Sequence, residues 1–251
     1  MELWELTAVL LSAIVPSLIY LVWIRNSEIY NRERWGHVLS VFFFGATISI
    51  LASVLLESLA IEVIRAPGSI FSEGFWNFGP YDPSLEIVVL AVVVAPFVEE
   101  WAKGWGVLAT RNWIREPEDG LIYGAAAGLG FAAVENIFYN SSSLISGIDV
   151  LVASATLRAL TSTLLHATAS GVLGFGIARK HLLGARGIKA SWIPYFLAAV
   201  LLHGIFNGFA VAEEVFDDVL VPIIGLIAAF VLVIGMFGWL RRSIQVMDRE
   251  N

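Results

Sequence analysis

Seven stretches of this chain are apolar over about twenty residues or more: roughly 4–24, 38–62, 84–109, 121–140, 149–178, 192–212 and 219–240. A helix needs about 20 apolar residues to cross a hydrocarbon core of about 30 Å, and in lipid the backbone must satisfy its own polar groups. The pattern therefore predicts an all-α fold, a polytopic bundle of seven transmembrane helices in one membrane domain over 1–251. Composition agrees, because 58% of the 251 residues are hydrophobic and only 15% are charged, against about 25% charged in soluble domains. The segments between the stretches carry the Gly, Pro and charge signals of loops, and no soluble domain fits among them. Residues 1–24 lack the basic start and small-residue cleavage site of a signal peptide, so the first stretch is expected to be a retained helix.

Orientation follows from the cations. One set of alternate loops holds Arg25, Arg32, Arg34, Arg111, Arg115, Arg179, Lys180, Arg186, Lys189, Arg241, Arg242 and Arg249, or 12 of the 15 lysines and arginines, and the other holds only Arg65. Positive loops stay cytoplasmic, which predicts the N-terminus outside and the C-terminus inside. The chain has no cysteine, which excludes disulfides and thiolate metal sites. Its net charge of -7 argues against a nucleic-acid partner.

The remaining cations, Lys103 and Arg158, lie within the predicted spans, as do Glu99, Glu100, Glu135, His166 and His203. A charge at the bilayer centre costs about 2.5–3.5 kcal/mol even on lenient scales, so such groups face a protein interior and mark a functional path. In "AVVVAPFVEEWAKGWGVLA", Lys103 stands four residues after Glu99 and three after Glu100, which predicts ion pairing within one helical turn. In "DGLIYGAAAGLGFAAVENIFYN", Gly120, Gly124, Gly128 and Ala132 recur every fourth residue, a small-residue seam for close helix approach, and Glu135 and Asn136 follow it. Arg158, Ser162 and His166 share one helical face at spacings of four, and His203 and Asn207 share another. Glutamates with histidine and asparagine, walled off from lipid, suit activation of water and stabilisation of an oxyanion. GxSxG, HExxH and cysteine are all absent, which favours water over a side chain as nucleophile. Glu57, near the outer end of the second predicted helix, is expected to be indifferent to function.

The residues "EEWAK" (EExxK), the glycine-rich helix ending in FxxxEN, "LLHATASGVLGFG" and "HGIFN" (HxxxN) fall in the order expected of the PrsW membrane proteases, and over 99–207 the chain resembles that family. PrsW proteases cut membrane-anchored anti-sigma factors and are distantly similar to the CaaX prenyl endopeptidases and bacteriocin-processing enzymes, with their EExxxR, FxxxH and HxxxN motifs. Here Lys103 stands one position before their arginine, and Glu135 takes the place of their histidine. The resemblance implies a membrane-embedded endopeptidase of a prokaryotic cytoplasmic membrane, its catalytic helices within 84–212, acting on a membrane-anchored protein. It also implies Glu99 as water-activating base with Glu100 beside it, Glu135 helping to hold the water, His203 and Asn207 as oxyanion site, and His166 as proton donor or water ligand.

Hydrolysis without a metal or other cofactor is the reading favoured at this point, because HExxH-type ligand spacing is missing. The alternative is a zinc protease with Glu99, Glu135, His166 and His203 around the ion, since zinc accepts carboxylate and imidazole. Two readings of another class are a haem protein ligated by His166 and His203, which leaves the glutamates unexplained, and an ion or proton transporter, against which no inverted repeat is visible. Nominal depths, counted at 1.5 Å per residue, leave Glu99 and Glu135 about 10 Å apart along the membrane normal.

Overall fold

The computed structural model describes residues 2–66, 83–212, 216 and 220–250, and among these there is no strand. Helix α1 is Leu3–Arg25. Helix α2 (Trp35–Phe44) passes through a π-helical turn, Gly45–Ser49, into α3 (Ile50–Arg65). Helix α4 (Pro83–Val89) passes through a second π-helical turn, Leu90–Val94, into α5 (Ala95–Ala109). Then follow α6 (Pro117–Ser146), α7 (Ile148–Leu160), α8 (Ser162–Ala185), α9 (Ile193–Ala210) and α10 (Leu220–Glu250). The predicted loops over 65–83 and 212–218 lie largely outside the described residues.

Among the described residues, six helical stretches are long and apolar enough to cross a membrane: Leu3–Arg25, Trp35–Arg65, Pro117–Ser146, Ile148–Ala185, Ile193–Ala210 and Leu220–Glu250. The seventh rod, α4 to α5, carries Glu99, Glu100 and Lys103. The fifth predicted span is not one straight helix. Its backbone leaves helical geometry at Thr161 (φ -126°, ψ -80°), so Arg158 ends α7 while Ser162 and His166 belong to α8. The four-residue spacing from Arg158 to His166 therefore does not describe a single helical face, although Arg158 still reaches Ser162 Oγ at 3.2 Å across the break.

Helix α6 is the axis of the bundle: 78% of its spanning window is buried, against 22% for α10. It starts where the sequence supplies an N-terminus, with Pro117 in the first turn, where its missing N–H costs nothing, and Glu116 and Asp119 forming a reciprocal cap. The glycine seam sets how close its neighbours come. A Cβ on Gly124 would lie 2.1 Å from the carbonyl oxygen of Ser170, and one on Gly128 would lie 2.1 Å from that of His166, so α6 and α8 meet backbone to backbone. Outward faces carry exposed Leu226, Ile227, Phe230, Val231 and Ile234 on α10, as a lipid-facing surface requires.

At one end of the bundle the α1–α2 loop is held by carboxylates. Asp248 of α10 accepts from the backbone N–H groups of Ile29 (2.7 Å), Tyr30 and Asn31, and Asn31 Nδ2 donates to Glu116 Oε1 at 2.9 Å. Three arginine-bearing segments, 26–34, 110–116 and the end of α10, therefore share that end, as the alternation of charged loops predicts.

Candidate functional site

Glu99, Glu100 and Lys103 all point inward from α5 and are buried. The i,i+3 and i,i+4 spacing does what helical geometry dictates: Lys103 Nζ donates to Glu100 Oε1 at 2.9 Å and to Glu99 Oε2 at 3.0 Å. The same ammonium lies 2.8 Å from His166 Nδ1 on α8 and 4.1 Å from the centre of the Phe131 ring on α6. One cation thus ties three helices around two carboxylates.

Both histidines are held by carboxylates on their far sides. His203 Nδ1 lies 3.0 Å from Glu100 Oε1, and His166 Nε2 lies 3.1 Å from Glu135 Oε2. A carboxylate can only accept, so in each neutral ring the nitrogen facing it carries the proton and the other nitrogen keeps a lone pair, which in His166 accepts from Lys103 Nζ. Those other nitrogens turn toward one atom: His166 Nδ1 is 3.8 Å and His203 Nε2 is 3.9 Å from Glu99 Oε2. Glu99, His166 and His203 offer one ligand atom each, all within 4.8 Å of one another. A carboxylate, two imidazoles and carboxylates fixing both rings from behind are the donor set and outer support of a zinc site, so the residues fit such an ion.

The outer support continues. Glu100, fully buried, also accepts from Ser170 Oγ at 2.8 Å, so both its oxygens are engaged. Glu135 is partly exposed and paired with Arg158, whose Nε donates to Asn136 Oδ1 at 2.6 Å and whose guanidinium lies over the Tyr139 ring, 3.7 Å from its centre. Asn136 in turn donates to Thr163 Oγ1 at 3.0 Å. The gap between the nominal depths of Glu99 and Glu135 is filled by the His166 ring, one nitrogen toward each.

Of the six residues singled out from sequence, Glu99, Glu100, Glu135, His166 and His203 come together. Asn207 stands apart from their hydrogen bonds: its amide donates at 2.8 Å to the carbonyl of Ala91, in the π-helical turn between α4 and α5. A π turn shifts the backbone ladder by one residue and frees a carbonyl for such a partner. Sequence reasoning passed over Ser170, although it lies four residues after His166 and so on the same face of α8. It also left Arg158 without its partner. Glu57 is partly buried on α3, and its Oε1 has no hydrogen-bond partner.

Residues 33–236 match the family described as PrsW family intramembrane metalloprotease. Among curated relatives, the chain is 28% identical over 201 residues to "Protease PrsW" of Clostridioides difficile (strain 630), covering 78% of this chain and 76% of that protein. It is 26% identical over 203 residues to "Protease PrsW" of Geobacillus kaustophilus (strain HTA426), covering 81% and 80%. It is also 26% identical over 201 residues to "Protease PrsW" of Bacillus subtilis (strain 168), covering 80% and 81%. No solved structure matches the chain. A family match over most of its length, several membrane-crossing helices and an acid–histidine cluster at their centre make this chain a multi-pass membrane protein that belongs to the PrsW family of intramembrane proteases.

Proposed function

We propose that the chain is a metal-dependent endopeptidase that cuts a membrane-anchored protein, with Glu99, His166 and His203 holding a zinc-like divalent ion. The observation that carries this reading is the convergence of two imidazole nitrogens on Glu99 Oε2, each ring turned by its own carboxylate. The metal-free reading favoured by ligand spacing alone gives way here. The absent HExxH excludes one way of placing ligands along a helix, whereas these three come from three helices. The metalloprotease description of the family points the same way.

A bound divalent ion supplies Lewis acidity, lowering the pKa of water toward neutrality and polarising a carbonyl. The chain's own residues do the rest. Glu100 and Glu135 hold the imidazoles in one tautomer, and Ser170 and Arg158 hold those carboxylates. Lys103 offsets the charge of Glu99 and Glu100, which could not otherwise stay ionised side by side in a dry interior. Glu135, the most exposed of the three carboxylates, can take or return a proton. Asn207 anchors α9 to the π turn that leads into Glu99, which makes it a positioning residue.

One observation favours a second reading, in which Glu99 activates water without a metal: Lys103 Nζ already sits within 3.0 Å of Glu99, Glu100 and His166. Elemental analysis of purified protein, paired with cleavage of a membrane-anchored test substrate, decides between them. The metal reading requires about one zinc-like ion per chain, lost in His203→Ala, and activity abolished by a strong chelator and restored by added zinc. Cleavage that survives metal removal yet depends on Glu99 would replace it with the second reading.

A further inference from the structure

Away from the Glu99 cluster, where the α1–α2 loop meets the start of α6, three more carboxylates converge. Glu28, Glu116 and Asp119 each offer an oxygen, and the three lie within 4.8 Å of one another. Glu28 has no exposed surface and Asp119 almost none. Their partners are backbone amides, one asparagine and the carboxyl of Glu33, which hydrogen-bonds to Asp119. Glu28 Oε2 accepts from Glu33 N at 2.8 Å, Asp119 Oδ2 from Arg115 N at 2.7 Å and Glu116 N at 3.0 Å, and Glu116 Oε1 from Asn31 Nδ2 at 2.9 Å.

Two oxygens are left over. Glu28 Oε1 and Glu116 Oε2 are buried with no hydrogen-bond partner. The guanidinium of Arg32 is near, but its Nε donates to the main-chain oxygen of Glu28 at 2.6 Å. Among the described residues, no lysine or arginine forms an ion pair with any of the three carboxylates. The cluster thus lacks a positive partner, and two of its lone-pair positions point at nothing the chain supplies.

We propose that Glu28, Glu116 and Asp119 form a second cation site, for a hard divalent ion of the Mg²⁺ or Ca²⁺ class, which ties the α1–α2 loop to the first turn of α6. Three carboxylates with no imidazole among them suit such an ion, in contrast to the histidine-bearing Glu99 cluster. A cavity of about 570 Å³ bordered by Glu116, Asp119, Asn31 and Trp113 gives an entry path and room for the waters that complete its coordination. The site is independent of the reading given to Glu99.

The test uses full-length protein in detergent, stripped by a chelator and titrated with Tb³⁺, a hard oxygen-seeking probe that Trp113 on the cavity wall can sensitise. Expected are a saturable luminescence signal, its displacement by Ca²⁺ or Mg²⁺, and a rise in Tm with the same ions. The ion that displaces Tb³⁺ at the lower concentration is the one the site prefers. Glu28→Gln and Asp119→Asn should each weaken binding at least tenfold, while His203→Ala leaves it unchanged. Should Glu28→Gln fail to fold, Glu116→Gln, at a more exposed position, provides the same comparison. Wild-type binding and Tm response in Glu28→Gln would overturn the proposal, as would loss of both in His203→Ala. So would a protein indifferent to all three ions whose Tm rises in Glu28→Gln, which would mean that a proton serves where the ion was expected.

Discussion

At the scale of single residues, the site is governed by which atom each carboxylate faces. Glu99 turns Oε2 toward two imidazoles, whereas Glu100 is committed to His203, Lys103 and Ser170. Glu99→Gln keeps the shape but removes the charge, and turnover of a membrane-anchored substrate should fall by about 10² or more in a cleavage assay with folding checked in parallel. Glu100→Gln acts through the ring behind which it sits. Metal affinity, read by competition with a chelating dye, should drop by about 10–100-fold, the usual effect of losing the partner behind a ligating histidine. The neutral control is Glu62→Gln, an exposed carboxylate on α3, in place of the partly buried Glu57. A Glu62→Gln variant as impaired as Glu99→Gln would show that the assay reports general damage.

At the scale of elements, packing positions the chemistry. The α6–α8 seam brings Glu135 to His166, and within it Gly128 lies directly against the His166 carbonyl. Gly128→Ala would push α8 outward at the residue that carries the imidazole. Overpacking of this kind costs about 1–3 kcal/mol, so Tm should fall and turnover should drop more than tenfold. Gly184→Ala, near the far end of α8 with nothing within 4 Å of the added carbon, should change neither. Asn207→Ala removes the bond from α9 to the freed Ala91 carbonyl. Hydrogen bonds between membrane helices average about 0.6 kcal/mol, so stability should change little while turnover falls, through a shifted α5. An Asn207→Ala protein with unchanged turnover would leave the π turn without a part in catalysis.

At the scale of the whole molecule, orientation remains the main expectation carried by charge. Reporter fusions after residues 30, 115, 185 and 251 should report cytoplasm, and a fusion after 145 should not. The fusion point at 75 lies outside the described residues. The reverse pattern would overturn the orientation and put the Glu28 cluster on the other face. The structure adds that segments 26–34 and 110–116 and the end of α10 touch one another, so they must report alike whichever side they occupy.

What the sequence determined is what depends on local spacing or on the cost of lipid. The helical class, the spans, the Lys103 pairs with Glu99 and Glu100 and the glycine seam all follow from a period of 3.6 residues and an apolar solvent. The convergence of five of the six chosen residues was legible too, because no other arrangement hides so many polar groups. Only the tertiary structure decided which atom faces which. The tautomer-fixing contacts of Glu100 with His203 and Glu135 with His166 join residues 103 and 31 positions apart. Helical spacing carries no information across such separations. The break at Thr161, the π turn that claims Asn207 and the unpaired oxygens of Glu28 belong to the same class. Each is fixed by how helices settle against one another, where displacements of an ångström decide whether a polar atom finds a partner.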